Sequence, residues 1–154
     1  MAKQDGRVDD PGKVVAELQA ILVDLIALSL QTKQAHWNVR GPLFKPLHEL
    51  YDEMTDQVRL WYDDVAERQR ALGGASDGRP STVARGSRLD DLPAGEVSDQ
   101  DSAARVLRLV ESVVGRIRGG IDEMGAKDPV TQDMLIGIVE GLEKQAWMLR
   151  ASVG

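Results

Sequence analysis

Apolar residues recur along this chain at helical spacing in four long stretches. In the first, Val14, Val15, Leu18, Ile21, Leu22, Leu25, Ile26 and Leu30 fall at steps of one, three and four, the pattern of a helix that buries one side. Asp10-Pro11 ahead of them reads as a helix cap followed by proline at the first helical position. The spacing predicts a helix from Pro11 to about Val39, stopped by Gly41-Pro42. A second set, Leu47, Leu50, Tyr51, Met54, Val58, Trp61, Tyr62, Val65 and Ala66, predicts a helix that begins near Leu43 to Pro46 and ends at Gly73-Gly74. Ser98-Asp99-Gln100-Asp101 resembles a capping box with aspartate in place of the usual Glu or Gln. After it, Val106, Leu107, Val110, Val113, Val114, Ile117, Ile121 and Met124 carry a third helix. Asp128-Pro129 repeats the cap-plus-proline start. Val130, Met134, Leu135, Ile138, Val139, Leu142, Trp147 and Leu149 then carry a fourth, which runs to Gly154. No segment shows the period-two alternation of a half-buried strand.

Residues 74–97, between the second and third helices, are rich in Gly, Ser, Asp and Pro. They are too many for a simple turn, and a short helix is expected among them around Ser87 to Leu92. Four long helices with one long crossover between the second and third is the connectivity of an all-α, ferritin-like four-helix bundle. Residues 1–9 are small, charged and glycine-containing, and are expected to form a flexible tail. Residues 10–154 are then the bundle domain.

Composition narrows the function. A chain of 154 residues with 42% apolar content is one domain with a real core. A formal charge of −6 disfavours a polyanion partner across the whole surface. The absence of cysteine excludes disulfides and thiolate metal sites. Residues 1–13 carry no apolar signal-peptide core. The apolar run Ile21 to Leu30 is short for a bilayer and contains Asp24. A cytoplasmic protein without a membrane partner is expected.

The chemistry is concentrated in residues 33–74. Both histidines of the chain, His36 and His48, lie here, with Trp37 and Trp61 and the carboxylates Glu49, Asp52, Glu53, Asp56, Asp63, Asp64 and Glu67. Imidazole and carboxylate together suit iron, zinc or manganese. The Glu-x-x-His pairs of ordinary di-iron bundles are missing, because Lys33 and Lys45 stand three residues before the histidines. His48 and Asp52 share a helix face, and so do Asp63 and Glu67. His36, just before the tight turn, can sit near His48. His48 and Asp63, however, are fifteen residues apart on one helix, about 22 Å at the helical rise. The chain therefore carries two half-sites, His36/His48/Asp52 and Asp63/Glu67. Two copies related by a two-fold axis would complete two equivalent sites. The plain alternatives are hydrogen-bonded surface histidines, a solvated acidic helix face and tryptophans that only pack.

K-Q-A-H-W-N-V-R-G-P, L-H-E-L-Y-D-E, D-D-V-A-E-R-Q-R-A-L-G-G and L-E-K-Q-A-W-M-L-R-A resemble the Dps family, the starvation-induced DNA-protection mini-ferritins, over about residues 12–152. The resemblance implies a ferroxidase and iron store, a hollow homo-dodecamer with a site shared between two-fold-related subunits. His36, His48 and Asp52 would come from one subunit, Asp63 and Glu67 from the other. It implies Fe2+ as substrate, hydrogen peroxide preferred over oxygen as oxidant, Fe3+ mineral as product, and protection of the cell and its DNA from oxidative damage. Trp37, beside His36, is a candidate radical sink. The acidic junction D-E-M-G-A-K-D-P-V-T-Q-D resembles the family's three-fold pore lining, with Asp128 and Asp133 as candidate iron-entry residues; Asp128 is equally an N-cap. The alternative function is a nucleoid protein that acts mainly by packing DNA. Against it, Lys3, Arg7 and Lys13 are offset by Asp5, Asp9 and Asp10, and the chain stops at Gly154 without a basic extension. Phosphate contacts dominate DNA affinity, so DNA binding is expected to be weak or absent.

Overall fold

The computed structural model describes residues 8–153, and the expected tail lies largely outside them. The elements are α1 (Pro11–Asn38), β1 (Val39–Arg40), α2 (Phe44–Ala71), α3 (Pro80–Gly86), β2 (Val97–Ser98), α4 (Asp99–Lys127) and α5 (Pro129–Val153). Helix α1 packs along α2, α4 packs along α5, and the α1–α4 contact joins the pairs. This is the expected four-helix bundle with its crossover between α2 and α4.

The caps set the boundaries. Asp10 accepts from the Lys13 amide ahead of Pro11, and Ser98 accepts from the Asp101 amide at the start of α4. The apolar faces meet in one core that includes Leu18, Leu22, Leu25, Leu28, Leu47, Met54, Val58, Val110, Leu135, Leu142 and Leu149. Burying one such side chain contributes about 1.5–3 kcal/mol. Helix α1 is more apolar than its Ile21–Leu30 run suggested: an 18-residue window averages 1.7 in mean hydropathy, long and apolar enough to cross a membrane by composition. Its apolarity has a use inside the bundle, where Val14, Leu18, Ile21, Leu22, Leu25 and Leu28 are buried.

Two details depart from the sequence reading. The short crossover helix is at Pro80–Gly86, not at Ser87–Leu92. Pro80 is its first residue, and Val83 anchors it in the core. Residues 87–92 are instead held extended along α1: the Arg88 amide donates to Asp24 and the Leu92 amide to Gln31. The second departure is a parallel bridge pairing Val39 with Val97 and Arg40 with Ser98. Two residues per strand are too few to show alternation.

Candidate metal centre

The corner between α1 and α2 brings His36 and His48 together. Their rings stack with centroids 3.7 Å apart and planes 18° from parallel. His36 Nδ1 donates to the His48 carbonyl at 2.7 Å, and His48 Nδ1 donates to the His36 carbonyl at 2.8 Å. A carbonyl only accepts, so each ring carries a proton on Nδ1, and in the neutral ring the lone pair is then on Nε2. That is the tautomer of a metal ligand oriented by a backbone carbonyl. His36 is buried, and Phe44 covers His48 with ring centroids 5.0 Å apart.

Asp52, one turn after His48, is paired with the Lys33 ammonium. Its carboxyl is held below the usual carboxylate range by that Lys33 contact, with smaller contributions from His36 and His48. A metal at this half-site would have to displace Lys33 to use Asp52. Lys33 was visible in the sequence only as the residue occupying a missing glutamate's place.

Asp63 and Glu67 are exposed on the same face of α2, and among the described residues neither joins an ion pair. Helix α2 is continuous from Phe44 to Ala71, so the span of about 22 Å from His48 stands. Among the described residues, no three His, Asp or Glu side chains gather into a metal cage within one chain.

Trp37 is 66% exposed beside the half-site. Trp61 packs against α5 at Gly141, where an added Cβ would clash with the indole.

The two pore candidates separate. Asp133 is exposed, but Asp128 is only 3% exposed. Arg68 Nη2 donates to Asp128 at 2.6 Å, Arg68 Nε donates to Thr131 at 3.0 Å, and Thr131 also donates to Asp128. Burial alone would push the Asp128 carboxyl up, yet these bonds outweigh it and hold the group below its ordinary value. Asp128 is thus a strut tying α2 to the α4–α5 junction. Of the basic residues near the N-terminus, Lys13 is engaged by Glu123, while Lys3 and Arg7 lie outside the described residues.

The bundle with its crossover and histidine corner has clear relatives. Residues 15–154 match the ferritin-like domain family. The chain is 40% identical to DNA protection during starvation protein 2 of Deinococcus radiodurans over 93% of its own length and 59% of that protein's, so it spans well under two thirds of that relative. It is 34% identical to the DNA protection during starvation protein of Mycolicibacterium smegmatis, covering 95% of this chain and 80% of that one. The crystal structure of Dps92 from Deinococcus radiodurans superposes with a TM-score of 0.89 at 40% identity, covering 92% of this chain and 86% of that one. The fold and these matches define a ferritin-like protein. Within that class, the chain belongs to the Dps family.

Proposed function

We propose that this chain is a ferroxidase and iron store, acting in the cytoplasm. It takes Fe2+ as substrate, oxidises it to Fe3+ with hydrogen peroxide in preference to oxygen, and keeps the ferric product inside a hollow dodecamer. The names of its relatives extend this to protecting DNA during starvation, and removing Fe2+ and peroxide together would spare the cell and its DNA oxidative damage. One observation carries the reading: the corner between α1 and α2 holds two imidazoles anchored through Nδ1, and unbroken α2 carries the Asp63/Glu67 pair too far from them to share their metal. Each half is completed by the opposite half of a second copy related by a two-fold axis. A groove of about 600 Å³ between α1 and α3, lined by Ile26, Leu30, Pro80, Val83 and Leu89, offers apolar surface for that copy. Leu30 there is 61% exposed and adds to that apolar surface.

The residues have matched tasks. Imidazole and carboxylate hold Fe2+ and tolerate the extra charge of Fe3+. Asp52 joins when Lys33 moves aside. Two ferrous ions supply the two electrons that peroxide needs, and with two protons it leaves as water rather than as hydroxyl radical. Trp37 stands where a stray oxidising equivalent would first meet an indole. Asp133 draws Fe2+ by its charge. DNA contact is weak, since the body is acidic and Lys13 is occupied; a band shift at low ionic strength showing tight retention overturns that part. The test of the whole is stopped-flow oxidation of Fe2+ by peroxide and by oxygen, wild type against His36→Ala/His48→Ala. Faster oxidation by peroxide, lost in the variant, is expected; equal rates in both proteins remove the ferroxidase.

A further inference from the structure

The two-histidine half-site is built on a chain corner, and we propose that Asp99, in the first turn of α4, is the residue that positions it. This inference rests on the ferroxidase reading and adds a residue to it. The His36 and His48 bonds are reciprocal: each ring is anchored to the other residue's backbone. Any opening of the corner between α1 and α2 therefore breaks both at once. Something must hold residues 39–43 closed.

The start of α4 does so. Val39 and Arg40 pair with Val97 and Ser98, placing Asp99 directly against the turn. The Leu43 amide donates to Asp99 Oδ2 at 2.8 Å, and the Gln100 amide donates to Oδ1 at 2.8 Å. Both carboxylate oxygens are thus used, in a side chain that is 6% exposed. Gly41 permits this approach: its φ is +129°, and an added Cβ would sit 2.5 Å from Asp99 Oδ2. One turn further along, Ser102 hydrogen-bonds the buried Tyr51 hydroxyl at 3.0 Å, fixing α2 just past His48. The other ionic contact at the corner, Arg40 with Glu96 at 3.6 Å, is largely exposed and holds little. A carboxylate suits the place because it accepts from two backbone amides and sits at the positive end of α4.

Asp99 acts through the histidines and touches no metal, so the test reads the rings directly. Magic-angle-spinning 15N spectroscopy of histidine-labelled, metal-free protein is unambiguous because the chain has only two histidines. Wild type is expected to show both rings protonated at Nδ1. Asp99→Ala should release them to the mixed tautomers of free imidazole. It should also weaken Co2+ binding, followed by ligand-field absorption, by about tenfold or more, the usual size for loss of a residue supporting a metal ligand. Asp99→Asn keeps an acceptor for the Leu43 amide and should recover most of that affinity. Gly41→Ala, which drives the same contact apart from the other side, should reproduce the Asp99→Ala spectrum even if Asp99→Ala assembles poorly. Gly141→Ala, destabilising but remote, should leave both rings at Nδ1. Unchanged ring tautomers and Co2+ affinity in Asp99→Ala overturn the proposal, as does an equal loss in Gly141→Ala. A wild-type protein that binds no Co2+ through these rings overturns the ferroxidase reading instead, while the metal-free spectra still judge Asp99.

Discussion

Two inactive variants of this chain should rescue one another. His36→Ala/His48→Ala removes the imidazole half-site and leaves Asp63 and Glu67 intact. Asp63→Ala/Glu67→Ala does the reverse. The halves lie about 22 Å apart on a continuous helix, whereas metal–ligand bonds are about 2 Å long, so neither variant can repair itself. In a two-fold pair made of one chain of each kind, one site receives both intact halves and the other receives none. With equal, random mixing about half the pairs are mixed, and about one quarter of the wild-type sites are restored. The assay is co-expression of the two chains with different tags, tandem purification of mixed particles, and peroxide-driven Fe2+ oxidation per subunit. Each parent should sit near background and mixed particles holding the two chains in equal ratio near a quarter of wild type. Mixed particles that assemble normally yet show no rescue would refute the shared site. So would a parent variant that keeps the wild-type rate.

Three further outcomes follow from named contacts. Gly141→Ala pushes a methyl into the Trp61 indole and should destabilise the bundle by about 1–3 kcal/mol, read as a lower midpoint in denaturant with altered tryptophan emission. Lys33→Gln releases Asp52 from its ammonium partner; since partly exposed pairs are weak, Co2+ should bind only a few-fold tighter, and weaker binding would show that Lys33 aids the site. The Asp128 carboxyl is held below its ordinary value of 3.8 when folded, so the unfolded chain binds its proton first on acidification. Its stabilising effect is complete above about pH 5 and is lost as pH falls below about 4 through the folded value. Asp128→Asn should therefore lower the thermal midpoint at neutral pH and flatten its acid dependence; an unchanged slope between pH 5 and 3 contradicts the strut.

Much of the fold was legible because the punctuation is strong. Asp10-Pro11, Ser98 and Asp128-Pro129 mark three helix starts within about a residue, and Gly41-Pro42 follows the end of α1 by three residues; a capping side chain, a proline or both stand at each start. The crossover was less legible. Ser87–Leu92 has helix-compatible residues, but α1 offers Asp24 and Gln31 as better partners for its amides, and such partners sit sixty or more positions away. The half-sites were readable from spacing along one helix. Their supports were not: Lys33 meets Asp52, Arg68 meets Asp128 and Asp99 meets Leu43 across helices, and no local pattern encodes those meetings. The engagement of Asp128 was hidden for the same reason, because its guanidinium partner lies on α2.

Continuous α2 also governs where this chain can change length. It is a ruler between two halves of the same catalytic unit, and a two-fold axis applies any error in it twice. Adding or deleting one turn between His48 and Asp63 would shift each half-site by about 5 Å against its complement, disabling both sites together. The crossover carries no such reading marks, and a few residues gained there would cost little. Insertions should therefore accumulate in residues 74–97, while the distance from His48 to Glu67 stays fixed.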